Sequence, residues 1–182
     1  MRNDKKIQKY LKIIIPVMII VIVMGIWFIK NSNENVIKKS GTDNLGSQNV
    51  DFLLETTELD MEQLKSYGLP IVIDFGADSC IPCKEMAPVL QELNDELRGK
   101  AIVKFVDVWK YQRLAEGFPI SVIPTQVFFD KEGKPYIPSD PQGMGMQMYS
   151  TKDSGEHVFT THEGGMTKNQ ILAVLSEMGM EE

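Results

Sequence analysis

Two cysteines are all the chain holds, Cys80 and Cys83, set two residues apart in "VIDFGADSCIPCKEMAPVL", residues 72–90. Three chemistries use such a pair. A structural disulfide would close a very small loop, which restrains the unfolded chain little, whereas staples join distant segments. A metal site needs two more ligands, and the only histidines are His157 and His162. They lie far beyond Cys83, where a zinc finger spaces its pairs by about 12–15 residues. Five apart on one strand, they also point to opposite faces. The third chemistry is redox exchange, which the spacing favours. A thiolate where a strand gives way to a helix meets unpaired backbone N–H groups and the positive end of the helix dipole, so its ionised form is favoured. Cys80 then attacks, and Cys83, one turn on, resolves the mixed disulfide. Pro82 is tolerated between them because the first helical turn needs no N–H there.

That chemistry requires a strand before the pair and a helix after it. "LPIVIDFGA" is an apolar run with β-branched residues, as in a strand buried on both faces. "CKEMAPVLQELNDELRGK" carries Met86, Val89, Leu90, Leu93 and Leu97 at helical spacing and stops at Gly99. Upstream, "DFLLETT" reads as a short strand, and "DMEQLKSYG" as a helix opened by an Asp60/Gln63 capping box. Downstream come a strand "AIVKFVDV", a short helix "KYQRLAEGF" and a strand "TQVFFDKEGKPYI" turning at Glu132 and Gly133. A last strand, "HVFTTHEGG", precedes a helix capped by Thr167 and Gln170. This alternation specifies an α/β fold with a mixed central sheet.

"DFGADSCIPCKEMAP" resembles the "DFWAxWCGPCKxxAP" of the thioredoxin superfamily, and the resemblance extends over about residues 52–180. It implies a thioredoxin fold, helices flanking a mixed central sheet, and a redox-active Cys80–Cys83 disulfide in which Cys80 attacks and Cys83 resolves. Asp74 matches the family's buried acid, and Lys104 the lysine that pairs with it. A carboxylate in an apolar strand has a raised pKa and can take the proton of Cys83. Pro88 matches the proline inside the active-site helix. "ISVIPTQVFF" matches the segment whose proline is cis, so the resemblance implies a cis Ile123–Pro124 bond. It also makes Pro124 part of the site and has Ile123 and Pro82 contact substrate, the Ile123 backbone facing an incoming strand. Ser79 and Gly76 stand where the family has tryptophans, and Ile-Pro replaces Gly-Pro between the cysteines. No cofactor and no metal is implied.

Composition places this domain in the cell. The chain has 182 residues and a formal charge of −6, which argues against nucleic acid as a partner. Residues 1–30 hold six basic residues against Asp4 alone. A basic tail, 1–12, precedes "IIIPVMIIVIVMGIWFI", residues 13–29, which is free of charge and would span roughly 25 Å as a helix. The expectation is a single uncleaved transmembrane helix, since no small-x-small cleavage site follows. A cleaved signal is the alternative. Basic residues before the span put the N-terminus in the cytoplasm and the body outside. Residues 30–50, rich in Asn, Ser and Gly, read as a flexible linker to a domain over 51–182.

With the family resemblance, this layout implies a membrane-anchored, extracytoplasmic thiol-disulfide oxidoreductase, expected to act as a reductase. Its implied partners are oxidised protein substrates, apocytochromes among the candidates, and a membrane thiol-electron donor. A disulfide-forming oxidase is one alternative. A metal-handling or binding module is another, because the final hairpin carries an insert, about 136–156, with Met144, Met146 and Met148 alternating. Those thioethers are read as hairpin packing, a docking face or a copper(I) site.

Overall fold

The computed structural model describes residues 50–181. The basic tail, the apolar stretch 13–29 and almost all of the linker lie outside them. Within them, no helix is long and apolar enough to cross a membrane.

Strand β1 (Ile71–Gly76) is buried at every position, as its unbroken apolar run requires. Parallel to it lies β2 (Ile102–Asp107), and antiparallel on its other side β3 (Thr125–Phe129). Beyond β3 come β5 (His157–Glu163) and β4 (Met146–Ser150), so the sheet runs β2-β1-β3-β5-β4. Alternation divides the side chains between two cores. Ile71, Ile73, Phe75, Val127 and Phe129 share one face with Leu64 of helix α1 (Met61–Ser66). On the other, Val72, Val103 and Phe128 pack against Met86, Leu90 and Leu93 of α2 (Ile81–Glu96), and against Ile171 and Leu175 of α3 (Lys168–Glu177). A large aliphatic side chain fully buried this way contributes about 1.5–3 kcal/mol.

The helix ends follow their capping residues. Asp60 Oδ1 accepts from Gln63 N at 3.0 Å, but the Gln63 amide bonds the Tyr67 hydroxyl, so only half of the first capping box forms. At α3 both halves form, between Thr167 and Gln170. Pro88 lies inside α2 and removes one rung of its ladder.

Two expected elements differ. "DFLLETT" is not a strand. It begins in a 3-10 turn, Val50–Phe52, and touches β2 only through a parallel bridge between Glu55 and Phe105. The physical reason is Lys104, whose ammonium donates to the carbonyls of Val50 (3.0 Å) and Leu53 (2.8 Å) and curls the segment around itself. "KYQRLAEGF" reaches only a 3-10 turn, Gln112–Ala115, with no side-chain cap and with Gly117 at φ 87°. One turn does not recover the cost of starting a helix. The insert, by contrast, packs as the extended hairpin that its alternating methionines suggested. After the turn ending at Gly145 it forms β4 against β5, with Met146 opposite His162.

Candidate functional site

Cys80 is the N-cap of α2, and its sulfur accepts from Cys83 N at 3.4 Å. The two cysteines are joined by a disulfide, with Cα atoms 5.3 Å apart. Their environments are unequal. Cys80 is half-buried, while Cys83 is 3% exposed. An incoming molecule therefore meets Cys80 first. Pro82 is exposed beside it.

The Ile123–Pro124 bond is cis, and the Ile123 carbonyl oxygen lies 3.9 Å from Cys80 Sγ. Pro124 is buried. A groove of about 380 Å³ adjoins, lined by Val108, Trp109, Ile120, Val122 and Ile123. Ile81 (72% exposed), next to Cys80 in the chain, and Trp109 (59%) and Val122 (49%), on the groove, are exposed apolar side chains.

Asp74, at the centre of the sheet, has no exposed surface. Burial pushes its carboxyl up to about 7, and the hydrogen bond from Gln126 offsets only part of that. Gln126 Nε2 donates to Asp74 Oδ1 at 2.7 Å, while Oδ2 has no hydrogen-bond partner. A Cβ added to Gly76 would lie 3.3 Å from Asp74 Oδ2, 3.3 Å from Cys83 Sγ and 2.8 Å from the Phe105 ring. Carboxylate and resolving sulfur thus flank the bare backbone of Gly76. The absence of a side chain there, where the motif has a tryptophan, keeps that approach open. Cys83 also borders a cavity of about 380 Å³, shared with Ala77, Pro88, Leu90 and Phe105.

The expected pairing of Asp74 with Lys104 is corrected. In the parallel register, Phe105 is the partner of Asp74, and Lys104 that of Ile73. Lys104 therefore points to the opposite face of the sheet. There, burial lowers its ammonium to about 8, against the opposing charge of Asp51.

The histidines have hydrogen-bond partners of their own. His157 Nε2 lies 2.9 Å from both Thr160 Oγ1 and the Phe159 carbonyl, and His162 Nδ1 lies 3.0 Å from Gln126 Oε1. Among the described residues, no group of three or more His, Cys, Asp or Glu could hold a metal ion. The three methionines enter different environments: Met146 is buried, Met144 packs at the core margin, and Met148 is 43% exposed. Gln126, which the sequence reading passed over, and His162, which it weighed only as a metal ligand, are site residues. The available signal was a lone amide in the apolar strand "TQVFF".

Residues 53–146, more than half of the chain, match the thioredoxin family. The chain belongs to the thioredoxin family. It is 39% identical over 74 residues to the chloroplastic thioredoxin Y of Oryza sativa subsp. japonica, covering 41% of this chain and 44% of that protein. A thioredoxin-like protein of Synechocystis is 38% identical over 74 residues, 41% of this chain and 70% of its own. The thioredoxin of Staphylococcus aureus is 36% identical over 83 residues, 46% of this chain and 78% of its own. The match thus spans less than half of the rice protein.

Proposed function

We propose that this chain exchanges disulfides with other proteins, and that it works as a reductase held at the outer face of a membrane. The observation that carries the exchange reading is the asymmetric pair: Cys80 accessible at a helix N-terminus, and Cys83 buried beside a carboxyl with a free oxygen. In the reduced chain, the Cys80 thiolate attacks a substrate disulfide and expels one substrate thiolate. Asp74 takes the proton of Cys83, whose sulfur attacks Cys80 and expels the second thiolate. The two thiolates take up protons, one returned through Asp74 and one from solvent. The dithiol loses two electrons and the substrate disulfide gains them. The Ile123 carbonyl, beside Cys80 Sγ, is placed to accept a main-chain hydrogen bond from an extended substrate.

Anchoring by residues 13–29 rests on their charge-free apolar composition and the basic residues before them. An outward-facing reductase needs electrons from a membrane thiol donor, and tethering beside it raises the effective concentration. The direction is supported by the C-x-P-C and I-P-T pattern of the resemblance, and the oxidase reading competes with it. The reduction potential of the Cys80/Cys83 pair in thiol buffers tests the choice. A value near −270 mV or below supports a reductase, and one near −120 mV overturns that direction. Cys83→Ser should also trap mixed disulfides in cells. If neither it nor the parent chain forms them, exchange itself fails.

A further inference from the structure

A row of paired residues crosses the whole sheet beneath the active site. Phe105, Asp74, Gln126, His162 and Met146 are successive partners on β2, β1, β3, β5 and β4. Paired residues of neighbouring strands put their side chains on one face. The middle three are hydrogen-bonded: Gln126 Nε2 to Asp74 Oδ1 at 2.7 Å, and Gln126 Oε1 to His162 Nδ1 at 3.0 Å. The same Nε2 also reaches Met86 Sδ at 3.4 Å. Gln126 has no exposed surface, and His162 is half-buried.

We propose that Gln126 and His162 are positioning residues for the exchange reaction: they hold Asp74 with Oδ1 occupied and Oδ2 presented to Cys83, and they couple the charge on His162 to that carboxyl. The inference rests on the oxidoreductase reading for its purpose, though not for its geometry. An amide that gives its N–H to a carboxylate must turn its oxygen the other way. That oxygen can only accept, so His162 must carry hydrogen on Nδ1. A donor on His162 therefore fixes the Gln126 amide, which in turn reserves Oδ1. The proton moving to and from Cys83 is left to Oδ2, the atom without a partner. Protonating His162 at Nε2 adds charge to the donor end of the chain and stabilises the Asp74 carboxylate. By linkage, an ionised Asp74 makes His162 a better base.

Cys83 and Met86 of α2 approach this row, whose ends are Phe105 and Met146, while Lys104 lies on the other face. Burial lowers the affinity of His162 for a proton. A hydrogen bond with Gly164 and the charge of Glu163 oppose this. The insert roofs the imidazole: a Cβ at Gly145 would lie 3.5 Å from His162 Cδ2 and 3.6 Å from Nε2.

The test is an NMR titration of the Asp74 carboxyl carbon in the oxidised 182-residue chain, with Gln126→Leu, His162→Phe and His162→Asn. Loss of the amide, or of the donor that orients it, leaves desolvation less opposed. The Asp74 midpoint should then rise by about half a pH unit, roughly threefold in proton affinity, in Gln126→Leu and His162→Phe. In His162→Asn the side-chain amide still donates to Gln126, and the midpoint should stay near that of the parent. Midpoints unmoved in both disruptive variants overturn the proposal. If those variants do not fold, the ring nitrogen shifts of His162 in the unsubstituted chain decide it: Nδ1–H with a second inflection at the Asp74 midpoint supports the row, and the Nε2–H tautomer sinks it. These titrations need no turnover. A chain that failed to reduce insulin would overturn the oxidoreductase reading, whereas unmoved midpoints would overturn the row.

Discussion

At the scale of the residue, Asp74 makes the sharpest prediction. Its ordinary value of 3.8 is raised to about 7 by burial. The folded chain therefore holds a proton more tightly than the unfolded one. The stability this group contributes is complete below about 3.8 and is lost as pH rises through about 7. Asp74→Asn removes the loss. The variant should gain on the order of a few kcal/mol over the parent in the oxidised state at pH 8, and much less at pH 4, in denaturant unfolding. Its exchange should be slower, by about a hundredfold at pH 8, because Cys83 loses its proton acceptor. An Asp74→Asn chain no more stable than the parent at pH 8 would show that the carboxyl is not held against its ionisation. The identity of the acid was readable from the family motif that one strand carries. Its partners were not: Lys104 was assigned by motif, and a register of one residue sends its side chain to the opposite face.

At the scale of the element, the strand–helix unit around the cysteines is locally specified, and its neighbours are less so. β1 is buried on both faces, and α2 carries an apolar stripe ended by Leu97, so both follow from periodicity. One helix position broke the pattern usefully. Asn94 is buried because its amide donates to Phe52 O at 2.9 Å and to Val103 O at 3.0 Å, tying α2 to the entering segment and to β2. The insert was recognisable as extra length, and its alternating methionines as a strand of an extended hairpin, but not the partners that hold it. It is held by Tyr136 and Ser139 on Glu177 of α3 and by burial of Met146. Excising residues 137–156 should lower the melting temperature by about 5–10 °C through the loss of that burial. Insulin reduction should persist, since the cysteines, Asp74 and Ile123 are untouched. Loss of reduction in a folded excision variant would make the insert part of the site.

At the scale of the whole molecule, the chain joins an apolar N-terminal stretch to an acidic body bearing a redox pair. The proposed orientation predicts that, in intact cells, a membrane-impermeant maleimide labels Cys80 of the reduced chain. Labelling that appears only after lysis would overturn the outward placement. The buried acid came from the motif's resemblance to a family; taken alone, the sequence determined the fold class, the Cys80–Cys83 pair and its strand–helix setting. These depend on short-range periodicity and spacing, which a linear chain records directly. The tertiary structure alone decided that Lys104 turns away, that the insert comes back over His162, and that Gln126 and His162 line up with Asp74. Those relations depend on strand register across separate segments. A shift of one residue there exchanges the two faces of a sheet, and no local pattern encodes it.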